Sequence, residues 1–248
     1  ARLAHVQDMG LVVVIQQPAE LGHGRGLGGL AVIAHLVPLV QPARQVAGDY
    51  YDFISGPNGH LGMVVADVSD KGMPAALFMT LVRTLIRAAA KDTHSPAAIL
   101  MQVNDLLVPD AKQGMFVTVF VALLSPTDGT IVYANAGHNP PIIRRFDNSL
   151  VEMPPTGMAL GVLEGIIIGE QSVTISPGDR LIVYTDGITE AFSAKDEMFG
   201  VNRLKTTLLT SQEMSASRLL KSIRDALGSF IEGAEQSDDL TIAALIRK

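Results

Sequence analysis

The chain has 248 residues, 48% hydrophobic and 18% charged, with a formal net charge of -6. That balance can bury a sizeable core and excludes a disordered chain, and the acidic excess argues against a general nucleic-acid binder. The absence of cysteine excludes disulfides and thiolate zinc sites and fits a reducing, cytoplasmic setting. "LVVVI" (11–15) reads as a strand or a short helix, and "ELGHGRGLGG" (20–29) as a glycine-rich loop. The "GRGLGG" within it fits GxGxxG, but the next run, "LAVIAHLVPLV" (30–40), is β-like. No helix N-terminus follows to hold a pyrophosphate, so the loop is a connection and not a nucleotide site.

"YYDFI" (50–54) and "HLGMVVAD" (60–67) read as strands joined by the turn "SGPNG". The period then changes. "MPAALFMTLVRTLIRAAA" (73–90) has apolar residues at 77, 81, 85 and 88, the 3.6-residue face of a helix, and Pro74 suits its first turn. "SPAAILMQVNDLL" (95–107) is a second helix with Ser95 as its N-cap. Strands return at "FVTVFVALL" (116–124), "TIVYANA" (130–136), "PIIRRF" (141–146), "QSVTIS" (171–176) and "DRLIVYTD" (179–186). Two helices follow, "VNRLKTTLLT" (201–210) and "ASRLLKSIRDALGSF" (216–230), then a closing strand, "LTIAALIR" (240–247). Segregated blocks of strands and helices indicate an α+β fold with largely antiparallel sheets. No apolar run reaches the ~18 residues of a membrane span, and no secretory signal is seen. The chain opens on Ala1 rather than Met, as expected of a piece of a longer protein.

Aspartates recur at strand ends. Asp49 precedes "YYDFI", Asp67 ends "GMVVA", Asp186 ends "RLIVYT", and Asp238 and Asp239 precede "LTIAALI". Singly, each is ordinary turn chemistry. Should these ends converge, their carboxylates would repel and raise one another's pKa unless a hard divalent cation neutralised them. The six histidines show no HxxxH or HxH spacing, which disfavours zinc.

Six ordered motifs carry a resemblance over about residues 30–248. They are "VAGDYYDFI", "VVADVSDKGMPAALFM", "FVTVFVALLSPTDGTIVYANAGHNPP", "GMALGV", "PGDRLIVYTDGITEAF" and "SDDLTIAALI". The chain resembles the SpoIIE/RsbU-type bacterial serine phosphatases, which belong to the metal-dependent PPM (type 2C) protein phosphatases. The resemblance implies a four-layer α-β-β-α sandwich with two central antiparallel sheets over 30–248, and a linker-like segment over 1–29. It implies two Mn2+ or Mg2+ ions, with a third admitted. Asp67 would bridge the two, with the Val68 carbonyl as a backbone ligand; Asp186 and Asp238 would complete one ion, and Asp49 would lie on the other, directly or through water. Asp239 and Asp70 are further candidates, and Arg44 is a candidate for substrate phosphate. Asp239 is the weaker of its pair and Asp52 is read as structural, because successive strand residues face opposite ways. A metal-bridging water would attack phosphorus directly, with no covalent phosphoenzyme.

Several positions depart from the family pattern. Ala47 and Ala66 replace common glycines, which is tolerable where φ is not positive. Asp70 replaces a common glycine and is read first as a cap of the helix from 73. Lys71 is read as solvated, and His138 as part of a structural loop. Ser69 stands roughly where many eukaryotic-type relatives place a general-acid histidine.

The implied function is hydrolysis of phosphoserine on a signalling protein, an anti-sigma-factor antagonist of the STAS type. An N-terminal sensor or receiver domain outside this chain would control it, and a homodimer is admitted. The alternatives are a catalytically weak docking module with the same fold and a metal-dependent hydrolase of small phosphoesters.

Overall fold

The structure is a computed structural model that describes residues 11–14, 33–41, 48–56, 59–111, 114–211, 215–234 and 236–247. Most of the segment 1–29, the glycine-rich loop, Arg44 and Ala47 lie outside the described residues.

The first strands are β1 (Leu11–Val14), β2 (Ile33–Gln41), β3 (Tyr50–Ser55) and β4 (Leu61–Val68). Helices α1 (Met73–Asp92) and α2 (Pro96–Leu107) follow, then β5 (Val117–Leu124), β6 (Thr130–Ala136), β7 (Ile142–Arg144), β8 (Leu150–Glu152), β9 (Gln171–Thr174) and β10 (Arg180–Tyr184). The one-turn α3 (Asp186–Thr189), α4 (Gly200–Thr210), α5 (Ala216–Phe230) and β11 (Leu240–Ile246) complete the order. One sheet runs β1-β2-β11-β10-β7-β8 and the other β3-β4-β5-β6-β9, with antiparallel neighbours throughout.

Alternation along each strand sorts side chains into three apolar layers. Val64, Ala66 and Val68 of β4 face α1 and α2, where Phe78, Val82, Ile86, Leu100 and Val103 pack on them. Ile182 and Tyr184 of β10, with Ile242 and Ala244 of β11, face α4 and α5. Between the sheets lie Met63 and Val65 from β4, Phe120 from β5, Leu181 and Val183 from β10, and Leu245 from β11. The expected four-layer α-β-β-α sandwich is therefore present. Ala66 sits in extended β4 without a positive φ, so its methyl group, relative to glycine, costs nothing in backbone strain.

Helix starts show where local signals held and where they failed. Ser95 accepts the Ala98 N–H and Pro96 opens α2, as its sequence predicts. The expected Asp70 cap on α1 is absent. Gly72 takes the N-cap position at φ 81° with no side-chain cap bond, and the exposed Asp70 carboxylate accepts the N–H of its neighbour Lys71 at 2.8 Å. The chain needs the left-handed conformation at Gly72 to turn from β4 into α1, which moves the cap two residues past Asp70. By length and composition α1 could cross a bilayer, yet Ala75, Phe78, Met79, Val82, Ile86 and Ala89 form its buried face in the core. Asp52 faces this helix, where the Arg87 guanidinium grips it at 2.5 and 2.7 Å and the Tyr50 hydroxyl donates to it. That fits its structural reading.

One buried side chain fastens a long connection. Asn104 of α2 donates to the Leu163 carbonyl at 2.9 Å and accepts the Gly161 N–H at 3.0 Å. Asn104→Ala strands both backbone groups against a fully buried position, so urea unfolding is expected to show a loss of about 2–3 kcal/mol.

Candidate metal centre

The same alternation that builds the core places the acids. Asp49 has the parity of Tyr51 and Phe53, Asp67 that of Met63 and Val65, and Asp239 that of Thr241 and Leu245, all toward the inter-sheet layer. Tyr50 pairs with Ala66, so one further step of register sets Asp49 opposite Asp67. Tyr184 pairs with Ile242, which brings the segments bearing Asp186 and Asp238–Asp239 together at the end of the other sheet.

The electrostatics record the convergence. Burial pushes the Asp67 carboxyl up to about 9, and the charges of Asp49, Asp186 and Asp238 add to the rise. Burial likewise raises Asp49 to about 7; the neighbouring Thr241 and Thr185 side chains oppose this, and the Asp239 charge adds to it. Asp186 is raised by burial, then by Glu190 and Asp238, while the Lys71 ammonium pulls it back. Asp49, Asp67, Asp186, Asp238 and Asp239 thus act on one another across both sheets.

Hydrogen bonds fix the surroundings. The Thr185 hydroxyl donates to Asp49 at 2.8 Å, and the Thr241 N–H donates to the Thr185 oxygen at 3.1 Å. Asp239, buried, accepts the Gly48 N–H at 2.7 Å and so ties the β11 entrance to the residue before Asp49. Behind Asp67, Thr118 meets His138 Nδ1 at 3.0 Å. His138 is buried and held neutral, its pKa lowered to about 4 by burial, with Asn135 bonding its backbone on both sides. These contacts fit its reading as part of a structural loop.

Lys71 is exposed, as read, and its ammonium also makes two contacts. Its ammonium lies 2.7 Å from Asp238 Oδ2 and 2.9 Å from the Ser237 carbonyl. The acids crowd one sheet end, and an amine four carbons from the chain reaches them. Val68 turns its carbonyl toward Gly48, 3.8 Å from where a Cβ there would lie. Asp70 bonds locally, and Arg44 lies outside the described residues. Thr185, Gly48 and Gly187 were not singled out from sequence. Gly187 was readable only as the glycine after Asp186, yet a Cβ on it would fall 1.9 Å from the Asp239 carbonyl oxygen and 3.4 Å from Asp238 Cβ.

A profile of the family described as Stage II sporulation protein E (SpoIIE) matches residues 57–248. The chain belongs to the SpoIIE family. Protein IcfG of Synechocystis is 32% identical over 234 residues, covering 84% of this chain and 37% of IcfG. Phosphoserine phosphatase RsbU of Bacillus subtilis is 28% identical over 210 residues, covering 84% of this chain and 61% of RsbU. The chain thus spans less than two thirds of either relative. Among solved structures, the SiaA PP2C domain of Pseudomonas aeruginosa shares the fold at TM-score 0.75 and 20% identity, covering 86% of this chain and 85% of that one. RsbX, solved in complex with magnesium, shares it at TM-score 0.63 and 15% identity, covering 96% of this chain and all of RsbX.

The SpoIIE-family acids offer an all-oxygen donor set whose anions repel in a half-buried setting, which fits a hard divalent cation. No three described His, Asp or Glu side chains are already closed into a cage.

Two outcomes follow for the metal-free protein. A carboxyl raised on folding holds its proton in the native state after the unfolded chain has lost it. Stability therefore falls as pH rises from about 4, the unfolded value, toward the folded values of about 7 for Asp49 and about 9 for Asp67. Asp67→Asn should flatten that decline and raise the Tm at pH 8 in EDTA by roughly 2–8 °C, read by thermal melts. Gly187→Ala should cost about 2–3 kcal/mol in urea unfolding, because the Asp239 backbone has to move.

Proposed function

We propose that this chain is the catalytic domain of a Mn2+- or Mg2+-dependent protein serine/threonine phosphatase, spanning residues 30–248. Residues 1–29 would be a linker-like lead-in. The observation that carries the reading is the mutual repulsion of Asp49, Asp67, Asp186 and Asp238, half-buried at the shared end of two sheets. A fold has little reason to gather such groups unless a cation offsets them. The RsbU relative, named a phosphoserine phosphatase, supports the reaction class.

In this reading Asp49, Asp67 and the Val68 carbonyl would hold one ion, and Asp67, Asp186 and Asp238 would hold a second. When bound, the ions supply positive charge for the phosphoryl oxygens and make water acidic enough to attack at neutral pH. The chain's own residues hold and orient the donors. Thr185 fixes Asp49 through its hydroxyl, and Asp239 fixes the backbone at Gly48. Asp239 is thereby a positioning residue before it is a ligand, and Asp70 faces solvent. Arg44 is assigned to the substrate phosphate, for which a guanidinium suits bidentate contact. The substrate is a phosphoserine protein of the STAS anti-sigma-factor-antagonist type, with control from an N-terminal sensor or receiver domain.

One observation favours the docking-module alternative: Asp238 is already engaged by Lys71. Phosphate release from a phosphoserine STAS protein separates the readings. With Mn2+, release is expected, EDTA should abolish it, and Asp67→Asn or Asp186→Asn should lower kcat by about 100-fold or more. Equal release in every arm overturns the metal mechanism. No release in any arm favours the docking module, and release from p-nitrophenyl phosphate alone points to a small-phosphoester hydrolase.

A further inference from the structure

Lys71 stands in the loop between β4 and α1, with its ammonium on one acid and one backbone carbonyl at the entrance to β11. It contacts Asp238 Oδ2 at 2.7 Å and the Ser237 carbonyl at 2.9 Å. Its charge also reaches Asp186 and offsets the repulsion there. Asp186 and Asp238 are the two acids that, with Asp67, would hold the second ion. The ammonium thus lies on carboxylates that an incoming cation would need. It bridges two segments that are 166 residues apart in the chain, the start of α1 and the entrance to β11.

We propose that Lys71 is a built-in counter-ion for the second metal position, which a divalent cation must displace from Asp238 before it can bind. The proposal rests on the metal-dependent reading above. Its physical basis is competition for one carboxylate. Lys71 occupies Asp238 Oδ2 and the Asp239 N–H occupies Oδ1, so both oxygens already have donors, and a cation arriving beside the ammonium is repelled by it. Without metal, the ammonium partly neutralises Asp238 and Asp186 and ties the α1 entrance to the β11 entrance. With metal, that tie is broken and Lys71 is released toward solvent, on which its side chain is already 42% open. Lys71 therefore lowers affinity for the second ion while supporting the metal-free fold. Metal occupancy and the position of the α1 entrance become linked, since the two cations compete for one carboxylate.

Metal binding and metal-free stability, read together, test this on the whole chain. Isothermal titration with Mn2+ alone gives the affinity of each site, and thermal melting in EDTA gives the metal-free stability. Lys71→Gln removes the charge and keeps most of the side-chain length, whereas Lys71→Arg keeps the charge. Lys71→Gln is expected to bind the weaker Mn2+ about three- to fivefold more tightly, the range set by loss of one partly exposed ion pair, and to melt lower in EDTA. Lys71→Arg should stay close to the parent in both. Unchanged or weaker Mn2+ binding by Lys71→Gln, with the parent binding normally, overturns the counter-ion role and leaves the phosphatase reading standing. Tighter binding by Lys71→Arg as well overturns it too, because charge would not be the cause. A parent chain that binds no Mn2+ overturns the metal-dependent reading and this proposal with it.

Discussion

The structure depends on one constraint: several carboxylates are held at the inter-sheet end of two sheets, where burial and mutual charge raise Asp67 to about 9 and Asp49 to about 7. Such an arrangement is unfavourable for the chain alone. It persists because apolar layers on both sides of each sheet fix the strand ends from which the acids project. The cost is local, whereas the stabilisation is spread over the three apolar layers.

That division explains the neighbouring polar residues. Thr185 and Thr241 exchange hydrogen bonds across β10 and β11 and give Asp49 a partner, which limits the rise in its pKa. Asp239 spends its charge on the Gly48 N–H, so the second acid of the pair acts as a brace. Gly187 permits the close approach of the segment bearing Asp186 to the one bearing Asp239. Lys71 supplies the compensating positive charge on the described side chains around Asp238. Each holds the acids close without neutralising them fully, which leaves an ion something to gain by binding.

The contrast between Asp52 and Asp49 shows how much the pleat decides. The two are three residues apart in one short stretch. Asp52 faces α1 and is matched by Arg87, whereas Asp49 faces the other sheet and meets Asp67. Opposite sides of one strand turn the same side chain into a packing contact or a candidate ligand.

The sequence by itself determined the layer pattern and the strand-end positions of the acids. A change from period two to period 3.6 is local information, and it located α1, α2, α4 and α5 and most of the strands. It was silent on β8 and carried the β10 reading through Asp186, where the chain instead starts α3. It also put the α1 cap at Asp70, because cap preference is local while the turn at Gly72 answers to where β4 must deliver the chain. Only the tertiary structure decided which acids meet, since Asp49, Asp67, Asp186 and Asp238 belong to segments whose approach is set by strand register and by the packing of one sheet on the other. The same holds for Lys71, whose partners lie 166 and more residues away. An ion pair across that separation has no signature in local sequence, because distance in space, not along the chain, sets its energy.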